Sequence, residues 1–365
     1  MAVGFPTKAN WSAGDVLTAA QMDDLAGTLN TVSAPLYNAA GKNSIINGAM
    51  YWSQRGQTFT NPAADIYTLD RWRIYYDGTG ATRTVSQQAF TPGTAPVAGY
   101  EGSYFLRYAT TAAGTGNTGN IIGTRLENVQ TLAGQTATIS FWIKSSNLTA
   151  ISSLAINQNF GSGGSSTVNQ TVTLSTTTIS ASWTRLTGTL TMASLAGKTI
   201  GASSYLDIVL TWAGGIGTID TWGWQLEAGS TATGFQTATG TLQGELAAAM
   251  RYFQKSYPQG TAPATNSIIG GIASAPASSN ITASGYVGNV RYPVVMRTSP
   301  TVTIYSYTSS TAGAISNGAG SDQAASSGYA GLNNDSGFTV QNGSGTTITT
   351  SYNLFMWHYT ASAEL

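Results

Sequence analysis

Few side chains in this 365-residue sequence have the chemistry to turn over a substrate. There is one histidine, His358, and no cysteine, which removes thiolate nucleophiles, thiolate metal sites and disulfides together. A serine-based triad would need His358, yet no Gly-x-Ser-x-Gly elbow accompanies it. Its setting, Leu354-Phe355-Met356-Trp357-His358-Tyr359, reads as a terminal strand carrying a structural or interface histidine. A glycosidase would need only two carboxylates, roughly 5–10 Å apart. Asp70, between Leu69 and Arg71-Trp72, is expected to form an ion pair or turn, and Asp207 and Glu227 sit in strand-like runs. A structural calcium would take six to eight oxygens; Asp77, Glu101, Asp207 and Asp220 are its candidate ligands, but no EF-hand spacing is present and no metal is assigned. Gly114-Thr115-Gly116-Asn117-Thr118-Gly119 spells a dinucleotide pattern, but it precedes the strand-like Ile121–Leu126 where a helix would be required, so it reads as a loop.

What the chain has in quantity is ring and amide surface: 9 Trp, 18 Tyr and 10 Phe in a background of Ser, Thr, Asn, Gln and Gly. Flat rings stack under the C–H faces of sugars, while amides and hydroxyls around them fix orientation. Trp52, Tyr75, Tyr76, Trp142, Trp212, Trp222 and Trp224 are the candidate glycan-binding residues. Trp142 is expected to face away from Phe141 and Ile143, and Trp222 and Trp224 to share one strand face. A tryptophan in a β-sandwich more often packs than binds, and Trp72 in Asp70-Arg71-Trp72 is read as mainly structural.

Charged residues make up 8% of the chain, against about 25% in an ordinary globular domain, and the net charge is zero. No basic stripe exists to follow a phosphate backbone, so nucleic acid is not an expected partner. With 41% apolar residues the low charge does not imply disorder. No apolar stretch is long enough for a membrane span, and Met1–Asn10 lacks the pattern of a secretion signal. A cysteine-free chain without such a signal, yet suited to contact outside the cell, is expected to be released by lysis.

These residues have to be positioned by a mostly β scaffold. Residues 1–43 are expected to form an attachment segment with a short helix: Thr18 and Gln21 make a capping box, Leu17 and Met22 a staple, and Met22, Leu25, Leu29 and Val32 one apolar face. Residues 44–240 read as strands separated by Gly/Ser/Thr/Asn clusters: 82–90, 103–110, 120–127, 136–145, 153–159, 168–174, 183–192, 205–212 and 219–226. Such a run of short strands predicts a sandwich or jelly roll. A linking helix is predicted at 242–257, with Leu242, Leu246, Met250, Phe253 and Tyr257 on one face, opening a second β domain over 241–365. In that domain 301–307 and 352–359 read as strands and 312–337 as long surface loops.

Several segments resemble one family. Asn43-Ser44-Ile45-Ile46-Asn47-Gly48-Ala49-Met50, Gln54-Arg55-Gly56 and Asp70-Arg71-Trp72 are similar to the start of the carbohydrate-binding-like domain of phage tail and fibre proteins. Trp183-Thr184-Arg185, Leu195–Gly201 and Gln225-Leu226-Glu227-Ala228-Gly229-Ser230 look like its later strands, and Arg251-Tyr252-Phe253-Gln254-Lys255-Ser256 like the segment that follows. Arg291-Tyr292-Pro293, Met296-Arg297, Pro300–Thr303 and the terminal Trp357 to Leu365 resemble the C-terminal module of the same proteins, and Trp11–Ala20 their attachment segment. The resemblance implies a mainly β protein with a jelly-roll β-sandwich, a short N-terminal helix, a linking helix and a second β domain. It implies a non-enzymatic virion fibre protein, a tail fibre or receptor-binding subunit, forming a homotrimer joined to other virion proteins by its N-terminus and contacting host-surface glycan, with no cofactor beyond an optional structural calcium. A head fibre or capsid decoration protein and a polysaccharide depolymerase are the competing expectations.

Overall fold

Alternation of apolar and polar residues dominates the middle of the chain, as in Leu154-Ile156-Gln158 and Leu206-Ile208-Leu210, where every second side chain is buried. In the computed structural model, residues 41–97, 100–275, 281, 285–317, 320–327, 333–342 and 354–365 are described. The predicted N-terminal helix with Leu17, Met22, Leu25, Leu29 and Val32 lies outside them. Strands β1 (Thr58–Thr60), β2 (Ile66–Tyr67), β3 (Arg73–Tyr76), β4 (Thr82–Ala89), β5 (Tyr104–Ala112) and β6 (Gly119–Glu127) come first. They are followed by β7 (Thr136–Lys144), β8 (Ser153–Asn159), β9 (Thr173–Leu174), β10 (Thr184–Thr191), β11 (Tyr205–Ala213) and β12 (Gly217–Ala228).

These strands form two antiparallel sheets: seven-stranded, in the order β1-β4-β5-β12-β7-β10-β9, and five-stranded, β2-β3-β6-β11-β8. Their inner faces share one core that holds Trp72, Ile74, Val85, Tyr108, Ile122, Phe141, Leu186, Ile208, Trp212 and Trp224. The edge-on Tyr108–Trp212 pair, 5.0 Å between centroids, bridges the two sheets. The arrangement is a β-sandwich. Of the predicted 168–174 strand only β9 forms, because Val168 and Thr171 make isolated bridges to β8 residues instead.

The seven-stranded sheet is buried on both faces along its central strands β7 and β12. Phe90, Tyr100 and Phe235 come from connecting segments and cover its outer side, with ring centroids 6.0, 5.6 and 4.8 Å from Trp222. The pairing of β12 with β7 slips between Trp222 and Gln225, and Gly223 takes φ +69° at the slip. The bulge turns Trp222 and Trp224 to opposite faces, so the expectation that they share one face is corrected. Trp224 stacks on Phe141 at 4.0 Å inside the sandwich, while Trp222 packs on Trp142 at 5.4 Å outside it.

The linking helix is shorter than predicted. Helix α1 spans Leu242–Met250, with the Thr241 hydroxyl accepting from the Gly244 N–H at its N-cap. Its buried residues are Glu245 and Ala249, whereas Leu242 is 48% exposed, so the predicted apolar face is not the packed one. Glu245 is buried because its carboxylate accepts from the Asn47 and Thr239 N–H groups, at 2.7 and 2.8 Å. Phe253, expected on the helix, belongs to β13 (Phe253–Lys255), which pairs with the last strand of the chain.

A third sheet follows from β13, β14 (Ile272–Ser274), β15 (Tyr286–Arg291), β16 (Thr301–Ser306), β17 (Ala314–Asn317), β18 (Asp322–Ser327), β19 (Gly337–Asn342) and β20 (Phe355–Ser362). β17 and β18 lie in the stretch predicted as surface loop; small residues suffice there because the pairing is backbone to backbone. This sheet has its own core, including Ile304, Ile315, Phe338, Val340, Phe355, Trp357 and Tyr359.

Candidate functional site

The turn at 46–52 sets the geometry of the site. Asn47 and Met50 both take φ +57°, a left-handed conformation that asparagine tolerates better than most residues. The Asn47 side chain then pins Trp52 at both ends of its backbone: Oδ1 accepts from the Trp52 N–H at 2.9 Å and Nδ2 donates to the Trp52 carbonyl at 2.8 Å. Nδ2 also donates to the Asp70 carbonyl at 2.9 Å. The Trp52 ring is held by its own Nε1–H, which donates to the Leu242 carbonyl at 3.2 Å. Half-buried Trp52 and Tyr51 meet edge-on with centroids 4.9 Å apart, and Tyr51 meets Tyr104 of β5 in the same way at 5.6 Å.

These three rings border a cleft of about 170 Å³ that Ser53, Gln57, Gln87, Gln259 and Gly260 also line. Gln87 of β4 donates from Nε2 to the Met50 and Tyr51 carbonyls, at 2.8 Å each, and fixes the aromatic turn against the sheet. Gln259 arrives from the loop after β13. The Lys255 ammonium holds that loop, donating to the Gln259 carbonyl at 3.0 Å and to the Thr261 carbonyl. Burial lowers the Lys255 pKa to about 8. Ring faces beside amides and a hydroxyl, with no charged group in the lining, suit stacking and hydrogen bonding to a polyhydroxylated molecule.

The motif residues around this cleft act as fasteners between the sandwich and the third sheet. Asp70 accepts from the Gln54 N–H and Nε2, at 3.0 and 2.8 Å, and Gln54 Nε2 donates on to the Phe253 carbonyl at 3.0 Å. Arg55 lies 3.8 Å over the Phe253 ring and Arg71 lies 3.6 Å over the Tyr252 ring, and both guanidinium groups pair with Glu364. Burial pulls Arg55 down to about 10 against the opposing charge of Asp70. Burial likewise pushes the Asp70 carboxyl up, against Arg55 and Gln54.

Of the predicted glycan-binding residues, Trp52 alone reaches this cleft. Trp212, Trp222 and Trp224 are at most 2% exposed, so none offers a ring face to a ligand. Trp142 does face away from Phe141, but Phe235 packs on it and Arg185 covers it at 4.7 Å. The sequence pattern gives alternation along a strand but not what lies over each face. Tyr76 is packed beneath Arg83 at 3.7 Å, and its hydroxyl donates to the Pro62 carbonyl at 2.7 Å. Tyr75 is 43% exposed on the outer face of the five-stranded sheet, separate from the Trp52 cleft. Tyr51, Tyr104, Gln87 and Gln259 were not legible as site residues. The tandem Tyr51-Trp52 was the available signal; the others meet it only through long-range pairing.

The carboxylates considered for calcium or hydrolysis are dispersed and occupied. Asp77 accepts from the Thr118 hydroxyl and from the Thr118 and Gly119 N–H groups, which lowers it to about 2 and closes the glycine loop ahead of β6. Asp207 pairs with Arg73 and Arg125, at 3.3 and 3.6 Å. Asp220 pairs with Arg107 and Lys144, Glu227 with Lys42, and Glu101 accepts from the Gly93 N–H. No group of three His, Asp or Glu residues able to hold a metal comes together among the described residues. His358 is buried: Nε2–H donates to the Ser267 carbonyl at 2.8 Å, leaving Nδ1 to accept from the Ser256 hydroxyl at 2.9 Å. Tyr257 stacks on its ring at 3.8 Å, and burial lowers its pKa.

A cavity of about 440 Å³ lies beside Lys42, Gly229 and Thr233 but has no aromatic wall. A third, of about 200 Å³ between Arg71, Glu127 and Tyr252, is dominated by the ion pairs of the junction. The Tyr252 ring in its wall is covered by Arg71 at 3.6 Å.

No protein-family model matches the chain, and no curated protein matches it in sequence. Among solved structures, the enzymatically active domain of tailspike protein 4 of bacteriophage CBA120 is similar at 12% identity and TM-score 0.32, over 51% of this chain and 21% of that one. TmCBM61 in complex with β-1,4-galactotriose is similar at 11% identity and TM-score 0.26, over 43% of this chain and 88% of that one. The Stig cyclase Fisc from Fischerella sp. TAU is similar at 14% identity and TM-score 0.32, over 53% of this chain and all of that one. Likenesses of this size, spread over binding and enzymatic proteins, assign no function to this chain.

Proposed function

We propose that this chain is a non-enzymatic fibre subunit of a phage particle, and that it grips host-surface glycan in the Tyr51–Trp52–Tyr104 cleft. The observation that carries the binding reading is the cleft itself: three partly exposed rings around a small uncharged hollow edged by glutamine side chains. Sugars are held this way because C–H faces stack on rings while the hydroxyls take up amide partners. The virion setting, the tail or fibre location, the homotrimer and the attachment by the N-terminal segment rest on the sequence resemblance. Low charge and the lack of cysteine agree with a protein that must persist outside a cell without disulfides.

The test is binding of the purified chain to host-surface polysaccharide, compared between wild type and Trp52→Ala. The expected outcome is at least a tenfold loss of affinity with the far-UV spectrum unchanged. Equal binding by the variant removes the cleft from the account, and release of reducing sugar by the wild type establishes depolymerase activity in place of passive attachment. Native mass near 38 kDa rejects the trimer.

A further inference from the structure

We infer that the cleft takes a single neutral sugar ring, clamped between the sandwich and the third sheet, with Gln259 as its hydroxyl-reading residue. This rests on the glycan reading above and specifies the ligand and the selecting residue. Three observations carry it. At about 170 Å³ the hollow is smaller than the roughly 300–1,000 Å³ of sites that enclose a drug-sized molecule, so it seats one ring, and further rings of a chain would lie outside it. Its lining is Tyr, Trp, Ser, Gln and Gly throughout, with no cation to pair a uronate or sialate carboxylate, and burying an unpaired carboxylate is costly. Finally, Gln259 Oε1 is buried without a hydrogen-bond partner among the described residues. Such an acceptor is unfavourable until a donor arrives; because the oxygen is enclosed, the Gln259 amide must turn toward the cleft it lines for a sugar hydroxyl to reach it.

The lining comes from both sides of the junction: Tyr51, Trp52, Gln87 and Tyr104 from the sandwich, Gln259 and Gly260 from the loop after β13. A ring seated there bridges the two bodies. Ligand binding and docking of the third sheet are therefore linked, each strengthening the other.

The experiment displaces host polysaccharide from the intact chain with methyl glycosides of neutral hexoses and with the matching uronic acids, for wild type, Gln259→Ala and Gln259→Leu. Near-UV circular dichroism checks that each variant is folded, and Gln259→Asn, which keeps the amide, is the mild control. Expected are competition by at least one neutral glycoside, at least tenfold weaker competition by its uronic acid, and at least fivefold weaker binding in the Ala and Leu variants. The neutral glycoside should also raise the melting temperature of the wild type and not of Gln259→Leu. If polysaccharide binds in a Trp52-dependent way but no monosaccharide competes, or the Gln259 variants match wild type, the single-ring inference falls while the glycan reading stands. If no polysaccharide binds, both fall.

Discussion

Asn47 shows how little local chemistry is needed to present an aromatic ring. One amide in a left-handed turn fixes both ends of the Trp52 peptide unit and ties it to Asp70, so Trp52 is held by the backbone rather than by burial. His358 has the opposite role. Its ring is enclosed, both nitrogens are used, and the folded state resists its protonation. As pH falls below about 6.5 the unfolded chain takes up a proton that folded His358 refuses, so this residue's contribution to stability is present above that pH and lost below it. Urea unfolding between pH 8 and 5 should show it as a slope of up to about 1.4 kcal/mol per pH unit, absent in His358→Gln. An identical slope in the variant would assign the acid sensitivity to other groups. The sequence setting of His358, between Trp357 and Tyr359, was enough to read it as structural; its partners Ser256 and Ser267 were not legible because the pairing of β20 brings them in from about a hundred residues away.

At the level of strands and helix, what was legible followed from period. Ser153–Asn159 and the strands around it declare themselves because one face is apolar and the other wet. Two features broke that logic. Residues 251–257 carry an apolar helical spacing, yet β20 offers Phe253–Lys255 a strand partner, and tertiary pairing wins over local pattern. At Gly223 a bulge reverses facing within a single strand, which no period-two reading anticipates. A Cβ at Gly223 would stand 2.6 Å from Trp142 Cε3 on a backbone already at φ +69°. Gly223→Ala should therefore cost about 2–4 kcal/mol by chemical denaturation, combining left-handed strain with overpacking. A loss below about 0.5 kcal/mol would show that the bulge is adaptable and that the opposed facing of Trp222 and Trp224 is not enforced.

Taken whole, the molecule is a sandwich and a third sheet held together by charge-assisted contacts in a chain that otherwise has few charges. Arg55 and Arg71 lie on the rings of Phe253 and Tyr252, and both converge on Glu364. Arg297 adds donors to the Ala363 and Glu364 carbonyls, at 2.9 and 3.0 Å. With Arg71 only 1% exposed, removing its partner leaves a buried cation uncompensated. Glu364→Gln should cost about 3 kcal/mol and speed tryptic cleavage after Lys255, which sits buried in the same junction. Unchanged cleavage would place the strength of the junction elsewhere. Motifs such as Gln54-Arg55-Gly56 and Asp70-Arg71-Trp72 pointed to a family in the sequence, and in the structure they are the fasteners that bring Trp52 and Gln259 to one cleft. The most direct test of the account is a structure of the chain soaked with fragments of the surface polysaccharide that the proposal assigns to it. The account predicts a sugar ring against Tyr51, Trp52 and Tyr104 with a hydroxyl on Gln259; a ring bound on the open sheet face at Tyr75, with the cleft empty, would contradict it.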